Sequence, residues 1–197
     1  MADEVLDIIS NLESINPAYD EVNKDFSLEG EWELMYTDTQ LFESSPFFLT
    51  LRELLGKRFN FSTDRVNNIF NLHRSATSTG SIGRITQTIT KSQLISKVEV
   101  KVGLLPGVPF SLKGLVVSTA NALIEDQFTL KLKLVETKIA ESNIPVYKSL
   151  PESIRKINFG ALGEIVPPCV LTTYYIDENM RITRNQDDNV FVYARLN

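Results

Sequence analysis

Four stretches of this chain alternate apolar and polar residues with a period of two, and that pattern constrains its fold more than anything else in it. Val66, Asn68, Phe70 and Leu72 alternate with polar neighbours, and Ile85, Gln87 and Ile89 with Thr86, Thr88 and Thr90. Val98, Val100 and Val102 alternate with Lys97, Glu99 and Lys101. Phe128, Leu130, Leu132 and Leu134 alternate with Thr129, Lys131 and Lys133. A strand places successive side chains on opposite faces, so each stretch reads as a strand with one apolar and one wetted face. The gaps between the stretches are too short for crossover helices, which rules against a parallel βαβ sheet and favours a barrel or sandwich.

The two ends of the chain extend the pattern. In Leu28–Thr37, Trp32, Leu34 and Tyr36 share one face, while Glu31 and Glu33 share the other. The last 28 residues, Val170–Asn197, hold three β-prone runs (170–176, 180–184, 190–195) separated by Asp, Glu and Asn clusters, the composition of a tight antiparallel meander. Ahead of the first strand, Val5, Ile8, Ile9, Leu12 and Ile15 recur at helical spacing and stop at Asn16-Pro17, with Asp3, Glu4 and Asp7 near the N-terminal end of the helix dipole. A second helix is expected over 45–56, with a serine cap, Pro46 in its first turn and Gly56 after its end. Its apolar side carries Phe47, Phe48 and Leu51, which would close a cavity, lean on a lipid surface or pack on the barrel. Residues 114–124 read equally as strand or helical turn, and 141–168, with four prolines, is expected to cross an opening of the barrel.

The expectation is therefore a mainly β chain forming a single antiparallel β-barrel of about eight to ten strands, with an N-terminal helix and a short amphipathic helix at 45–56. One domain is expected over 1–197, with helix and lead-in over 1–27 and barrel over 28–197. At 197 residues such a domain buries roughly 70% of its unfolded surface and needs no staple.

Composition removes several functions. A net charge of −5 and a pI near 5.0 argue against nucleic acid as a partner, and Lys97, Lys101, Lys131 and Lys133 sit on alternate strand positions as a solvated face. With only Cys169 and only His73 there is no internal disulfide and no zinc site of the usual Cys/His kind, and no cofactor is implied. His73 lies opposite Phe70 and Leu72, as a rim residue. The adjacent carboxylates Asp177-Glu178 and Asp187-Asp188 read as solvated turn residues, so no catalytic residue is expected. No run of 18 apolar residues is present, so no membrane-spanning helix is expected. The acidic N-terminus is unlike a signal or transit peptide; either the protein acts where it is made, or a presequence has been removed.

An eight-stranded barrel holds either one small ligand or its own side chains. The inward positions are Trp32, Leu34 and Tyr36 on the first strand, Phe70 and Leu72 on the next, and Ile85, Gln87 and Ile89 after them. Val98 and Val100, then Phe128, Leu130 and Leu132, complete a lining suited to an apolar guest, with Gln87 and Tyr36 as polar anchors. Both the occupied and the filled barrel fit this lining. Gly30-Glu31-Trp32 resembles the Gly-x-Trp of lipocalins, in which a C-terminal arginine covers the tryptophan and closes one end by cation–π packing. Arg181, Arg184 and Arg195 are the candidates here; Arg184, on the face of Met180 and Ile182, is the one expected inward, with Arg181 the alternative.

Leu28-Glu29-Gly30-Glu31-Trp32-Glu33-Leu34-Met35-Tyr36-Thr37 resembles the opening motif of the plastid lipid-associated protein (fibrillin) family, Leu-x-Gly-x-Trp-x-Leu-x-Tyr-Thr. Ser44-Ser45-Pro46-Phe47-Phe48 is similar to the segment that follows it. Thr172-Thr173-Tyr174, Asp177, Arg181-Ile182-Thr183-Arg184 and Phe191-Val192 resemble its closing motif. The departure is the turn Asn185-Gln186-Asp187-Asp188-Asn189, where that family carries Gly-Asp-Gly-Gly. The resemblance implies a lipocalin-like, non-enzymatic protein of plastids or cyanobacteria, at plastoglobules, thylakoids or in the stroma, that binds or transports carotenoid, prenylquinone or fatty-acid-type lipids. Its implied partners are a small apolar ligand, a peripheral membrane or lipid-droplet surface, and a thylakoid protein complex. The alternative it leaves open is a scaffold or accessory subunit of such a complex, with the barrel filled by side chains.

Overall fold

The computed structural model describes residues 2–17, 27–39, 81–103, 111–143, 156–159 and 168–196. Among these the chain forms one helix, α1 (Ala2–Ser14), and nine strands. They are β1 (Gly30–Thr37), β2 (Ser81–Ile89), β3 (Gln93–Gly103), β4 (Ser111–Ile124), β5 (Thr129–Ser142), β6 (Lys156–Asn158), β7 (Cys169–Ile176), β8 (Met180–Asn185) and β9 (Val190–Leu196). The order is β4-β3-β2-β1-β9-β8-β7-β5-β6, every pairing is antiparallel, and β4 pairs also with β5. That last pairing closes eight strands into a ring, leaving β6 as a short addition to β5. The architecture is lipocalin-like and β-rich, built of the antiparallel strands that the alternation implies. Residues 114–124, ambiguous in sequence, belong to β4, paired with β3 along its whole length. The expected helix at 45–56, the strand at 66–72 and His73 lie outside the described residues.

One buried cluster lies inside the ring. Leu28 and Trp32, Ile89, Leu94, Ala120, Leu130 and Leu132, Leu171 and Ile176, and Tyr193 meet from β1 and its lead-in, β2, β3, β4, β5, β7 and β9. From β8 come Arg181 and Thr183, both essentially without solvent exposure. A second cluster lies on the opposite face of β7, β8 and β9, beneath α1. There Ile9, Tyr175, Ile182 and Val190 are buried, with Val5, Leu6, Leu12, Tyr36, Met180 and Val192 packed around them. The helix is fastened at its end as well. Glu13 accepts bonds of 2.8 and 3.0 Å from Nε and Nη2 of Arg184, and Asn16 Oδ1 accepts one of 3.1 Å from the Ile176 N–H. Of the apolar stripe read from the sequence, Val5, Ile9 and Leu12 face the ring. Ile8 and Ile15 are 59% and 69% exposed, and Leu6 takes their place.

The ring has two unlike ends. At one, the connections are short: 90–92 between β2 and β3, 125–128 between β4 and β5, and 177–179 between β7 and β8. Asp126 and Asp177 each accept two backbone N–H bonds at 2.7–2.8 Å within these turns, which fixes the turns without glycine. At the other end lie the strand termini flanking 38–80, 104–110, 143–155 and 159–168. The non-glycine turn at 185–189 is also there. Asp188 takes the left-handed conformation (φ 63°), and Asn185 Oδ1 accepts bonds from the N–H groups of Asp187 and Asn189. Asp tolerates that conformation better than most residues, so the turn forms without the glycines of the family motif.

Candidate functional site

The short-turn end of the ring is closed by aromatic rings and guanidinium groups stacked on one another. Gly30 begins β1 at φ 132°, a conformation suited to glycine, and lets Trp32 turn fully inward, where its Nε1–H donates to the Leu28 carbonyl at 3.0 Å. Arg195, directly opposite Trp32 on β9, lays its guanidinium 4.1 Å from the Trp32 ring centroid. Its own N–H groups donate to the carbonyls of Glu29 (3.0 Å) and Ser27 (2.9 Å). A Cβ at Gly30 would lie 2.7 Å from Arg195 Nη1, so the glycine also makes room for this lid. Arg195 is therefore one of two arginines that cover the tryptophan, and Arg181, the alternative read from the sequence, is the other.

Arg181 lies deeper, wholly buried between two rings, 4.9 Å from the centroid of Trp32 and 4.3 Å from that of Tyr193. Its Nη2 donates to Gln87 Oε1, and Gln87 Nε2 donates to the Tyr193 hydroxyl at 2.9 Å. Nε and Nη1 of Arg181 have no hydrogen-bond partner among the described residues. Burial pulls its pKa down to about 10, opposed by Tyr193 and, to a lesser extent, helped by the positive charge of Arg195. It remains a cation at neutral pH. Burial likewise raises the Tyr193 phenol, so that group stays protonated. A buried cation with two unused donors is costly, since among the described residues only one amide and two ring faces offset its desolvation.

The expected positions sort as follows. Trp32, Gln87, Ile85, Leu130 and Leu132 face the interior, as the cross-strand registers require; Leu34, Val98 and Phe128 are half-buried. Tyr36 does not belong with them. The register between β1 and β9 shifts between Leu34 and Tyr36, and this bulge turns Tyr36 outward into the cluster under α1, leaving Met35 66% exposed. Arg184 is also corrected. It lies on the helix-facing side of β8, where its bonds to Glu13 and its 3.0 Å contact with Asp188 raise its pKa, and it closes nothing. Phe70, Leu72, Phe47, Phe48, Leu51 and the side chain of Val100 lie outside the described residues. Sequence reading did not single out Tyr193, although its place two residues before Arg195 puts it on the same inward face.

Two of the four carboxylates considered for catalysis have structural partners. Asp177 holds the 177–179 turn and accepts the Tyr175 hydroxyl at 2.7 Å, and Asp188 accepts from Arg184. Burial, with a smaller contribution from Asp187, pushes the Cys169 thiol up to about 11, which leaves it un-ionised and a poor nucleophile at neutral pH. Among the described residues no three His, Cys, Asp or Glu side chains group to hold a metal ion, and no helix is long and apolar enough to cross a membrane.

The model of the PAP_fibrillin family matches residues 1–194. The chain belongs to the PAP_fibrillin family. No curated protein and no solved structure matches it. Membership of this family, which is associated with plastids, suggests a lipid-associated role there. In this PAP_fibrillin chain the two ends of the motif meet in space: Gly30-x-Trp32 from the opening segment lies under Arg181 and Arg195 from the closing one.

Proposed function

We propose that this chain binds one small apolar lipid or isoprenoid, of the carotenoid, prenylquinone or fatty-acid type, inside the ring and catalyses no reaction. The observation that carries the reading is a gradient of burial along the inward face. Around Trp32, Ile89 and Leu130 the interior is sealed, with exposures of 0–2%. Towards the opposite rim the inward apolar side chains Leu34, Val98, Val116, Ile139 and Phe191 are only half-buried. Apolar surface that faces inward yet still meets solvent is what an apolar guest covers, at about 25 cal/mol per Å² removed from water. The reading takes residues 1–197 as one unit acting in a plastid or cyanobacterial membrane setting, with Phe47, Phe48 and Leu51 contacting the membrane or lipid-droplet surface.

Native mass spectrometry of the purified chain, with titration of a fluorescent fatty acid, tests this. One retained apolar ligand per chain and a saturable titration are the expected outcomes; neither would be seen if the interior is simply a filled core. The compactness of the sealed end favours a second reading, a scaffold or accessory subunit of a thylakoid or plastoglobule complex. In that case Phe47→Asp with Phe48→Asp releases a co-purified partner while the chain stays folded, and lipid titration shows nothing.

A further inference from the structure

We propose that the outer face of β3, β4 and β5 is a self-complementary surface on which a second copy of this chain docks about a two-fold axis. The proposal is independent of the lipid reading. Leu115 and Val117 of β4 point outward, because the residues alternating with them, Val116 and Ser118, pair with the inward-facing Val98 and Ser96 of β3. Ile95 of β3 and Leu123, which is 61% exposed, add to the apolar surface on the same face. None of these four side chains belongs to either buried cluster, and α1 packs on β7, β8 and β9 instead. A face kept only for water has no use for leucine and valine along its middle strand.

The charges that flank the two side chains are sorted by row. The cross-strand register sets Leu115 between Glu99 of β3 and Glu141 of β5. One row on, about 7 Å along the strand, it sets Val117 between Lys97 and Lys138. All four charged residues are exposed. Lys97 and Glu141 have no ion-pair partner among the described residues, and Lys138 lies a loose 3.7 Å from Glu136.

A two-fold axis lying in the interface and running across the strands between these rows exchanges them. Glu99 then faces Lys97 of the partner subunit, Glu141 faces Lys138 of the partner subunit, and Leu115 meets Val117 of the partner subunit. Each contact occurs twice, as an isologous interface requires. Two rows of one sign would repel under the same operation. The apolar centre supplies the burial, and the charge rows set the register. The acidic first turn of α1 lies over strands on the other side of the ring, so the net negative charge of the chain is not concentrated where the copies meet.

The test is sedimentation of the full-length chain up to a concentration on the order of 100 µM. A monomer–dimer equilibrium is expected, weakened in about 1 M salt. Lys97→Glu with Lys138→Glu makes the face all carboxylate, and Glu99→Lys with Glu141→Lys makes it all ammonium. Each double variant is expected to self-associate at least about ten-fold more weakly than wild type, and an equimolar mixture of the two to dimerise again. Circular dichroism checks that both are folded. Because Glu99 packs against Gly83, Glu141→Lys alone serves as the second variant if the double one is not folded. A wild-type chain that stays monomeric overturns the proposal, leaving the face to water or to a different protein. So does a dimer that both charge reversals leave unchanged, or a mixture of folded variants that fails to pair.

Discussion

Gly30 shows how much one residue fixes here. An alanine at that position would have to hold φ at 132° and push Arg195 away from a contact of 2.7 Å, so Gly30→Ala is expected to cost about 1–3 kcal/mol, read as a lower urea midpoint. Arg195 lies at the end of a flexible side chain and can shift, which leaves the backbone strain as the larger share. Tyr175 offers a pH-dependent prediction. Burial, then its bond to Asp177 and the charge of that carboxylate, push the phenol up to about 12, above the unfolded value near 10. Between those two values the folded chain binds more protons than the unfolded one. The stability from this group is therefore fully present below about pH 10 and is lost as the pH rises through 12. Tyr175→Phe is expected to remove that slope in the alkaline unfolding curve. Phenolate absorbance of the folded chain should show one late-titrating tyrosine fewer in the variant than in the wild type, with Tyr193 still titrating late in both.

Among the elements, α1 and β8 explain each other. The helix covers the outer face of β8, so Arg181 and Ile182, on opposite faces of the strand, are both fully buried. Alternation reveals which residues share a face. It does not reveal which face is inside when both are covered, and so Arg184 read as inward with Met180 and Ile182. Tyr36 was illegible for another reason: a bulge is a mismatch between two strands, and β1 alone carries no sign that Met35 has no partner on β9. The parts that were legible, from Trp32 to Leu34 and along β2, β3 and β5, have one wetted face and regular pairing over the residues used. The helix gives a paired prediction. Ile9→Ala removes a side chain 3% exposed and is expected to cost about 2–4 kcal/mol in urea unfolding, whereas Ile8→Ala, 59% exposed, should fall within about 0.5 kcal/mol of wild type. A double-mutant cycle on Glu13→Gln and Arg184→Met should report a coupling of about 1–2 kcal/mol, since the pair is bidentate and mostly shielded.

At the scale of the whole molecule, the single tryptophan of the chain lies at the centre of the closure, unexposed and flanked by two guanidinium groups. Its emission is expected to be blue-shifted and nearly untouched by acrylamide while the chain is folded, and to become quenchable in one step with loss of β-sheet circular dichroism. Loss of protection before the sheet unfolds would mean that the closure opens independently of the ring. The unequal ends have a broader consequence for how such a chain can be altered. Lengthening 90–92, 125–128 or 177–179 disturbs turns that abut the sealed floor, while the strand termini flanking 104–110 and 143–155 lie well away from Trp32 and Arg181. Epitope tags, fluorescent reporters or foreign recognition loops can therefore be spliced in at that brim, leaving the floor to work as an unchanged chassis.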